Sequence, residues 1–254
     1  MAFYDNSKEE RVIIVSSIDS AIAEGIVTGN SKSIVTYFAD EDTYIRKTAY
    51  LSVGKLYKSD LHLLHSILTV LQELFTAADA KVRQTVVNAA GEIGKYDFDS
   101  VQSFFDTGLF DEHHSVRNAV IGSMKKMGEK NPQPVLDWSR KYLHHTDKEI
   151  RREICHGIEL RGRTHPQDIL PLLKELQFDK TRRVQWTLVH VIGQIAYKKG
   201  CLETVMQEIL QWENKEVVNG AIEEIIDVHH RYRNFSFYTQ EQAKAYISKV
   251  TANK

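Results

Sequence analysis

The sequence predicts an all-α fold built from about six copies of one helix pair. A β-branched residue, followed by Arg in four cases, recurs at spacings of 37, 34, 34, 34 and 33 residues. Apolar side chains follow four and eight residues after each of these marker positions, and such positions lie on one side of an α-helix. We find no alternating strand pattern with hairpin turns. The six markers are Ile45, Val82, Val116, Ile150, Val184 and Val217.

Each marker helix is preceded by a second predicted helix. These upstream helices are expected at Ser31–Phe38, Leu61–Phe75, Phe98–Phe105, Pro134–Leu143, Asp168–Leu176 and Glu203–Gln211. The joins carry short polar side chains that can accept the free N–H groups of the following helix: Asp40, Asp42, Asp79, Asp111, Thr146, Asp147, Asp179 and Asn214. The pattern predicts a single domain over residues 1–254. Its repeats are 31–58, 61–96, 98–129, 132–162, 166–199 and 202–233, with capping helices at 8–27 and 239–250.

The composition is that of a globular protein with a sizeable core. The 254 residues are 42% hydrophobic, and 33 basic against 34 acidic side chains exclude a uniformly cationic coat protein. No apolar run approaches the roughly 18 residues that a membrane span needs. The first residues lack the pattern of a signal peptide, so we expect a cytoplasmic protein with no membrane partner. Cys155 and Cys201 are expected to be core thiols.

Three stretches of the sequence resemble the HEAT-repeat family. They are DEDTYIRKTAYLSVGKL (Asp40–Leu56), AADAKVRQTVVNAAGEIG (Ala77–Gly94) and DEHHSVRNAVIGSMKKMG (Asp111–Gly128). The resemblance implies a curved α-solenoid whose second helices line a concave surface, with an Asp–Arg ladder between neighbouring repeats. The ladder residues it implies are Arg46, Arg83, Arg117, Arg151, Asp40, Asp111 and Asp179. Because Gln185 and Val218 replace the Arg in the last two repeats, the ladder should weaken there.

Charge is distributed unevenly along the chain. Residues 125–200 hold 16 basic and 9 acidic side chains, whereas residues 1–124 hold 11 and 17. A basic segment with an aromatic residue on a polar helix stripe suits phosphate neutralisation and base stacking. The alternatives are a solvated surface with chance clustering, and a Trp186 that wedges against a neighbouring helix. The predicted nucleic-acid-binding residues are Lys126, Arg152, His156, Arg161, Arg163, Arg182, Arg183, Trp186 and His190.

A narrower resemblance covers Asp147–Ala196, which looks like the HEAT-like-repeat DNA alkylation-repair glycosylases of the AlkD and AlkC type. The shared features are a doubled Arg in one repeat helix, a short His-Pro start to the next unit and an aromatic-rich following helix. The resemblance implies binding of DNA backbone in a basic concave cleft. The paired-Trp-then-Asp catalytic motif is missing, since the equivalent spacing from Trp186 reaches His190. The nearest acids for catalysis are Glu223 and Asp227.

These patterns favour a non-catalytic protein that holds DNA or RNA backbone in its concave groove. One alternative is a protein–protein interaction scaffold, with a partner on the concave or the acidic N-terminal face. A second alternative is a DNA glycosylase for alkylated bases that uses Glu223 or Asp227. His156 and His190 lie one repeat apart on the same stripe, but the sequence shows no evident third ligand. We therefore predict no metal site and no cofactor.

Overall fold

The computed structural model describes residues 3–252. Over that range the chain forms fifteen α-helices and a few short 3-10 turns, with no β-strand. The helices fall into two compact units, one up to Asn131 and the other from Pro132 onward. The single domain expected from the sequence stays a prediction.

The first unit contains an N-terminal helix and three helix pairs. Its marker helices α3, α5 and α7 pack side by side, and α1 packs against α2 and α3. The helices are α1 (Lys8–Thr28), α2 (Ser31–Phe38), α3 (Thr43–Ser59), α4 (Leu64–Leu74), α5 (Ala80–Gly94), α6 (Gln102–Gly108) and α7 (His114–Lys130).

The second unit continues the same alternation. Its marker helices α9, α12 and α14 pack side by side, and α15 packs against α14. The helices are α8 (Pro132–Arg140), α9 (Lys148–Gly157), α10 (Glu159–Gly162), α11 (Pro166–Lys174), α12 (Arg182–Gln194), α13 (Cys201–Ile209), α14 (Lys215–Arg231) and α15 (Gln240–Ala252).

The core is built from the predicted apolar stripe. All eighteen marker, +4 and +8 positions are buried except Ile45, which is partly exposed. In α12 the stripe is Val184, Leu188 and Ile192, and none of these has accessible surface. The 34-residue period is therefore the spacing at which successive marker helices bury equivalent side chains.

Four of the eight predicted cap residues occupy the N-cap position of a marker helix. The side chains of Asp42, Asp79 and Asp147 each accept the backbone N–H two residues later, at 2.7–2.8 Å. Asn214 does the same for α14. Asp111 and Asp179 differ, because the N-cap positions of α7 and α12 lie two residues further on, at His113 and Thr181.

Asp111 and Asp179 instead form two contacts of the predicted ladder, whereas Oδ1 of Asp40 accepts the backbone N–H of Asp42. Arg83 Nε lies 2.7 Å from Asp111 Oδ2, and Arg151 Nη2 lies 3.1 Å from Asp179 Oδ1. Burial acts to raise the pKa of both carboxyl groups, but hydrogen bonds from the two guanidinium groups and from backbone N–H groups hold each pKa below its usual value. Each contact joins two neighbouring repeats within one unit.

The signature Arg also closes the loop before its own helix. Arg83 donates to the carbonyl groups of Ala77 and Ala78, each at 2.9 Å, and Arg46, Arg117 and Arg151 make equivalent bonds. Gln185 keeps a single such bond, from Nε2 to the Asp179 carbonyl at 2.8 Å. In the loop before α14, where Val218 replaces the signature Arg, Gln177 Oε1 accepts the backbone N–H groups of Glu213 and Asn214. The inter-repeat contacts that Arg83 and Arg151 make with Asp cannot form at Gln185 and Val218, which carry no guanidinium group.

Across the described chain, no helix combines the length and the apolar character needed to cross a membrane.

Candidate binding site on the second unit

The nine predicted binding residues are divided between the two units. Lys126 belongs to the first unit, where its Nζ lies 5.5 Å from the ring centroid of Tyr50. Burial lowers the pKa of Lys126, although the charge of Glu92 acts to raise it. The other eight residues all lie in the second unit.

Three of the predicted phosphate-binding cations are held by acids of the same chain. Arg152 Nε lies 2.9 Å from Glu149 Oε2, and Arg161 Nε lies 2.7 Å from Asp168 Oδ2. Arg163 Nε lies 3.0 Å from Glu159 Oε1, and the Arg163 guanidinium lies 5.9 Å from the ring centroid of Tyr197. These three side chains are only 16–26% exposed. Because their charge is balanced internally, they offer less to a phosphate group than the net charge of the segment suggests.

An exposed cluster at the start of α12 is different. It consists of Lys180, Arg182, Arg183 and Trp186, which we name the basic–aromatic patch. The Arg182 guanidinium lies 4.9 Å from the ring centroid of Trp186, whose surface is 61% exposed. Lys180, Arg182 and Arg183 are exposed as well, and Arg183 contacts Glu149 at 3.1 Å. The N-terminus of α12 adds the partial positive charge of its free N–H groups to this surface.

The patch borders a surface groove of about 540 Å³ between α12 and α14. Its wall contains the apolar side chain of Val189, and the acidic side chain of Glu216 stands at the start of α14. The remaining lining residues are Lys180, Arg182, Gln185, Trp186, Val217 and Gly220. The groove can therefore stack a planar group on the indole while two cations neutralise an attached anion. Lys180 is not among the binding residues predicted from the sequence. Its position two residues before the Arg182–Arg183 pair that begins α12 could have indicated that it belongs to the same surface.

A second cluster brings the two predicted histidines together. The rings of His156 and His190 have centroids 6.3 Å apart, and His156 Nε2 lies 3.0 Å from Glu159 Oε2. His190 Nδ1 lies 3.2 Å from Glu224 Oε1. Sequence reasoning missed Glu159 and Glu224. The sequence carries a signal for both, because Glu159 follows His156 by three residues and Glu224 follows His190 by 34 residues, one more than the spacing of their two markers.

The two candidate catalytic acids lie on α14. Both Glu223 and Asp227 are exposed, and Asp227 is paired with Arg231. Enzymes that cleave glycosidic bonds rely on carboxyl groups in a partly desolvated environment. The surroundings of these two acids provide no such environment, so the geometry adds no support for the glycosylase hypothesis.

Comparisons with known proteins place this architecture among repeat proteins. Residues 11–107 match the family described as "Cnd1: non-SMC mitotic condensation complex subunit 1". A chain from the structure described as "Crescerin uses a TOG domain array to regulate microtubules in the primary cilium" has a TM-score of 0.51 and 16% identity, covering 76% of this chain and 88% of that one. An archaeal HEAT-like repeats protein from Thermococcus onnurineus NA1 has a TM-score of 0.41 and 16% identity, covering 82% of each chain. No curated protein matches the sequence.

These similarities concern the fold. At 16% identity, the likeness to the TOG-domain chain shows a shared architecture and no more. Together with the helix pairs, it confirms the predicted class, an all-α protein of HEAT-like repeats belonging to the α-solenoids. Such repeats form extended helical surfaces that are suited to binding macromolecular partners. The narrower resemblance to alkylation-repair glycosylases stays a prediction.

Proposed function

We propose that this HEAT-like repeat protein is a non-catalytic binding protein that holds the backbone of a nucleic acid at the basic–aromatic patch. The observation that carries the proposal is the exposed Trp186 ring with the Arg182 guanidinium 4.9 Å from its centroid, at the edge of the groove. A large exposed indole on a polar helix surface suggests a partner, since soluble proteins limit such apolar exposure. A cytoplasmic location is part of this proposal.

The composition of the patch favours a strand with at least one unpaired base. Stacking of a base on an aromatic side chain contributes about 1–3 kcal/mol, and every base has a face that can stack. Lys180, Arg182 and Arg183 stand on the α12 side, whereas Glu216 makes the α14 side of the groove acidic. The phosphates therefore run along the start of α12. If all three cations contact phosphates of a single strand, the salt dependence of log K has a slope of about −2.

The test is binding of a fluorescently labelled single strand, followed by anisotropy at several salt concentrations. Trp186→Ala should weaken binding by about 5- to 150-fold, which is the loss of one stacking contact. The double reversal Arg182→Glu/Arg183→Glu should abolish binding at low salt. Two matched controls should bind like the wild type. One is Lys244→Glu/Lys249→Glu, the same charge change on exposed sites of α15, and the other is Phe235→Ala, which removes another exposed aromatic ring. Equal losses in the controls and the patch variants would refute the proposal.

A protein partner is the second candidate function. Trp and Arg are the residue types that most often dominate protein interfaces, and Val189, Val217 and Gly220 give the groove an apolar stretch. The family matched by residues 11–107 is described as a subunit of a complex. A protein held through the apolar stretch would bind with little salt dependence. Gly220→Leu, which fills the groove without changing its charge, would then weaken binding more than reversal of the cations.

A further inference from the structure

We infer that His156, Glu159 and His190 form a binding site for a divalent transition-metal ion of the zinc class. The site is independent of the proposed nucleic-acid binding. One potential ligand atom from each of these three side chains lies within 4.8 Å of the others. Two imidazole nitrogens and one carboxylate oxygen form a donor set that suits zinc and its neighbours in the first transition series.

The spacing of the first two ligands already matches a metal site. Nε2 of His156 and Oε2 of Glu159 are 3.0 Å apart, and two ligands at about 2.1 Å from a tetrahedral zinc ion stand about 3.4 Å from each other. For the same arrangement His190 has to approach the other two ligands by up to about 1.4 Å, from 4.8 Å to 3.4 Å. Its side chain is 43% exposed, so a modest rotation can provide this movement.

The surrounding residues hold the ligands as a metal site requires. Glu224 lies 3.2 Å from His190 Nδ1, and a proton on that nitrogen leaves Nε2 with a free lone pair for the metal. The other oxygen of Glu159, Oε1, accepts a hydrogen bond from Arg163 Nε at 3.0 Å. Arg163 in turn donates to Gln194 at 3.0 Å. Glu159 is only 1% exposed, so its carboxylate is fixed with Oε2 directed toward His156.

The repeat period explains why these residues meet. His156 and His190 each lie six residues after their markers, so they occupy the same position on α9 and α12; Glu224, seven residues after the marker of α14, contacts His190 from the next helix. The three marker helices pack side by side and place these positions in one row. Glu159 joins the row because it follows His156 by three residues, where α9 gives way to α10. Three protein ligands leave a fourth position for water or another ligand.

The test is titration of the metal-free full-length chain with Co²⁺, whose visible absorption reports tetrahedral coordination, and with Zn²⁺ in competition with a chromophoric indicator. We expect one ion per chain. His156→Ala and His190→Ala should each weaken binding at least 10-fold, and Glu224→Gln should weaken it about 10- to 100-fold as an orienting partner.

The matched control is His144→Ala, because His144 also contacts a carboxylate, at 2.9 Å from Glu175 Oε2, but lies outside the cluster. It should bind metal like the wild type. Circular dichroism shows whether each variant is folded, and the exposed His190 is the position where substitution is least disruptive. Failure of the folded wild-type chain to bind either ion would overturn the inference. Unchanged affinity in folded His190→Ala would overturn it too.

Discussion

Replacement of Asp179 by Asn tests the role of the Asp–Arg ladder. The Asp179 side chain is 6% exposed and that of Arg151 is 15% exposed, so the pair is largely shielded from water. The carboxylate accepts two bonds from Arg151 and the backbone N–H of Thr181 at 2.8 Å. In Asp179→Asn the backbone bond can persist, but a buried guanidinium loses its counter-charge and faces an amide.

The expected loss of stability follows from these contacts. Breaking a buried ion pair by removal of one partner costs about 3–5 kcal/mol. Here Arg151 keeps its bonds to the carbonyl groups of His145 and Thr146 and to the Thr181 hydroxyl, at 2.7–3.2 Å. We therefore expect a smaller decrease in the free energy of unfolding, about 2–3 kcal/mol. If the whole chain unfolds together, Tm falls by about 4–12 °C.

The assay is urea unfolding followed by circular dichroism, with Glu175→Gln as the matched control. Glu175 also joins two repeats, through Arg140 at 3.1 Å, but the Arg140 side chain is 55% exposed. Its loss should cost less than about 1 kcal/mol, because exposed ion pairs contribute little. Equal stability losses in Asp179→Asn and Glu175→Gln, or a loss below about 0.5 kcal/mol in the former, would refute the view that the ladder is a principal inter-repeat contact.

Three further predictions concern stability and reactivity. Since the pKa of Asp179 lies below its usual value of about 3.9, the ionised carboxylate stabilises the fold above that pH and this contribution is lost as the pH falls through the lowered pKa. The advantage of the wild type over Asp179→Asn should shrink between pH 7 and pH 3; an advantage that grows on acidification would contradict this. Gly122→Ala should raise the free energy of unfolding by about 0.5–1 kcal/mol, because a Cβ there meets no atom within 4 Å. Gly162→Ala should lower it by about 1–3 kcal/mol, since its Cβ would lie 2.3 Å from Ile169 Cδ1, and thermal melts of the two variants should shift in opposite directions. Cys155 is fully buried, and burial raises the pKa of its thiol, so a thiol reagent should label it only on unfolding; rapid labelling of the native chain would count against this burial.

The fold was predictable because its signal is local and repeated. A residue at a marker position, followed by apolar residues four and eight places later, defines one face of one helix, and six copies fix the architecture. The exception, Ile45, lies in the first pair, where the spacing is 37 residues instead of 34. The Asp–Arg ladder was implied by the family resemblance. Asp42 caps its helix, whereas Asp179 lies two residues before the N-cap position of α12 and binds Arg151. This difference depends on the conformation of the loop, which the sequence pattern does not specify.

The candidate site was only partly predictable. The partners of Arg152 and Arg163 lie three and four residues away, at Glu149 and Glu159, and such helical pairs can be read from the sequence. The partner of Arg161, Asp168, lies across the turn between α10 and α11, so that pairing needs the fold. Counting charges over a segment therefore overstated the cations that are free to bind a partner.

The repeat explains both the stabilising contacts and the candidate sites. A residue type that recurs every 34 residues is placed beside the equivalent residues of the next repeat in its unit, and Arg83 and Arg151 use this to bind Asp111 and Asp179 of the following loop. Where a repeat lacks the signature Arg, the residue at that position can take another role. At the start of α12 the signature Arg is replaced by Gln185, which keeps one loop bond and lines the groove. The positive charge of that groove comes instead from Lys180 and Arg182, beside an exposed Trp186. The departure from the repeat and the exposed ring coincide on one helix turn, and this coincidence, more than the net charge of the segment, supports the proposal that the partner binds at α12.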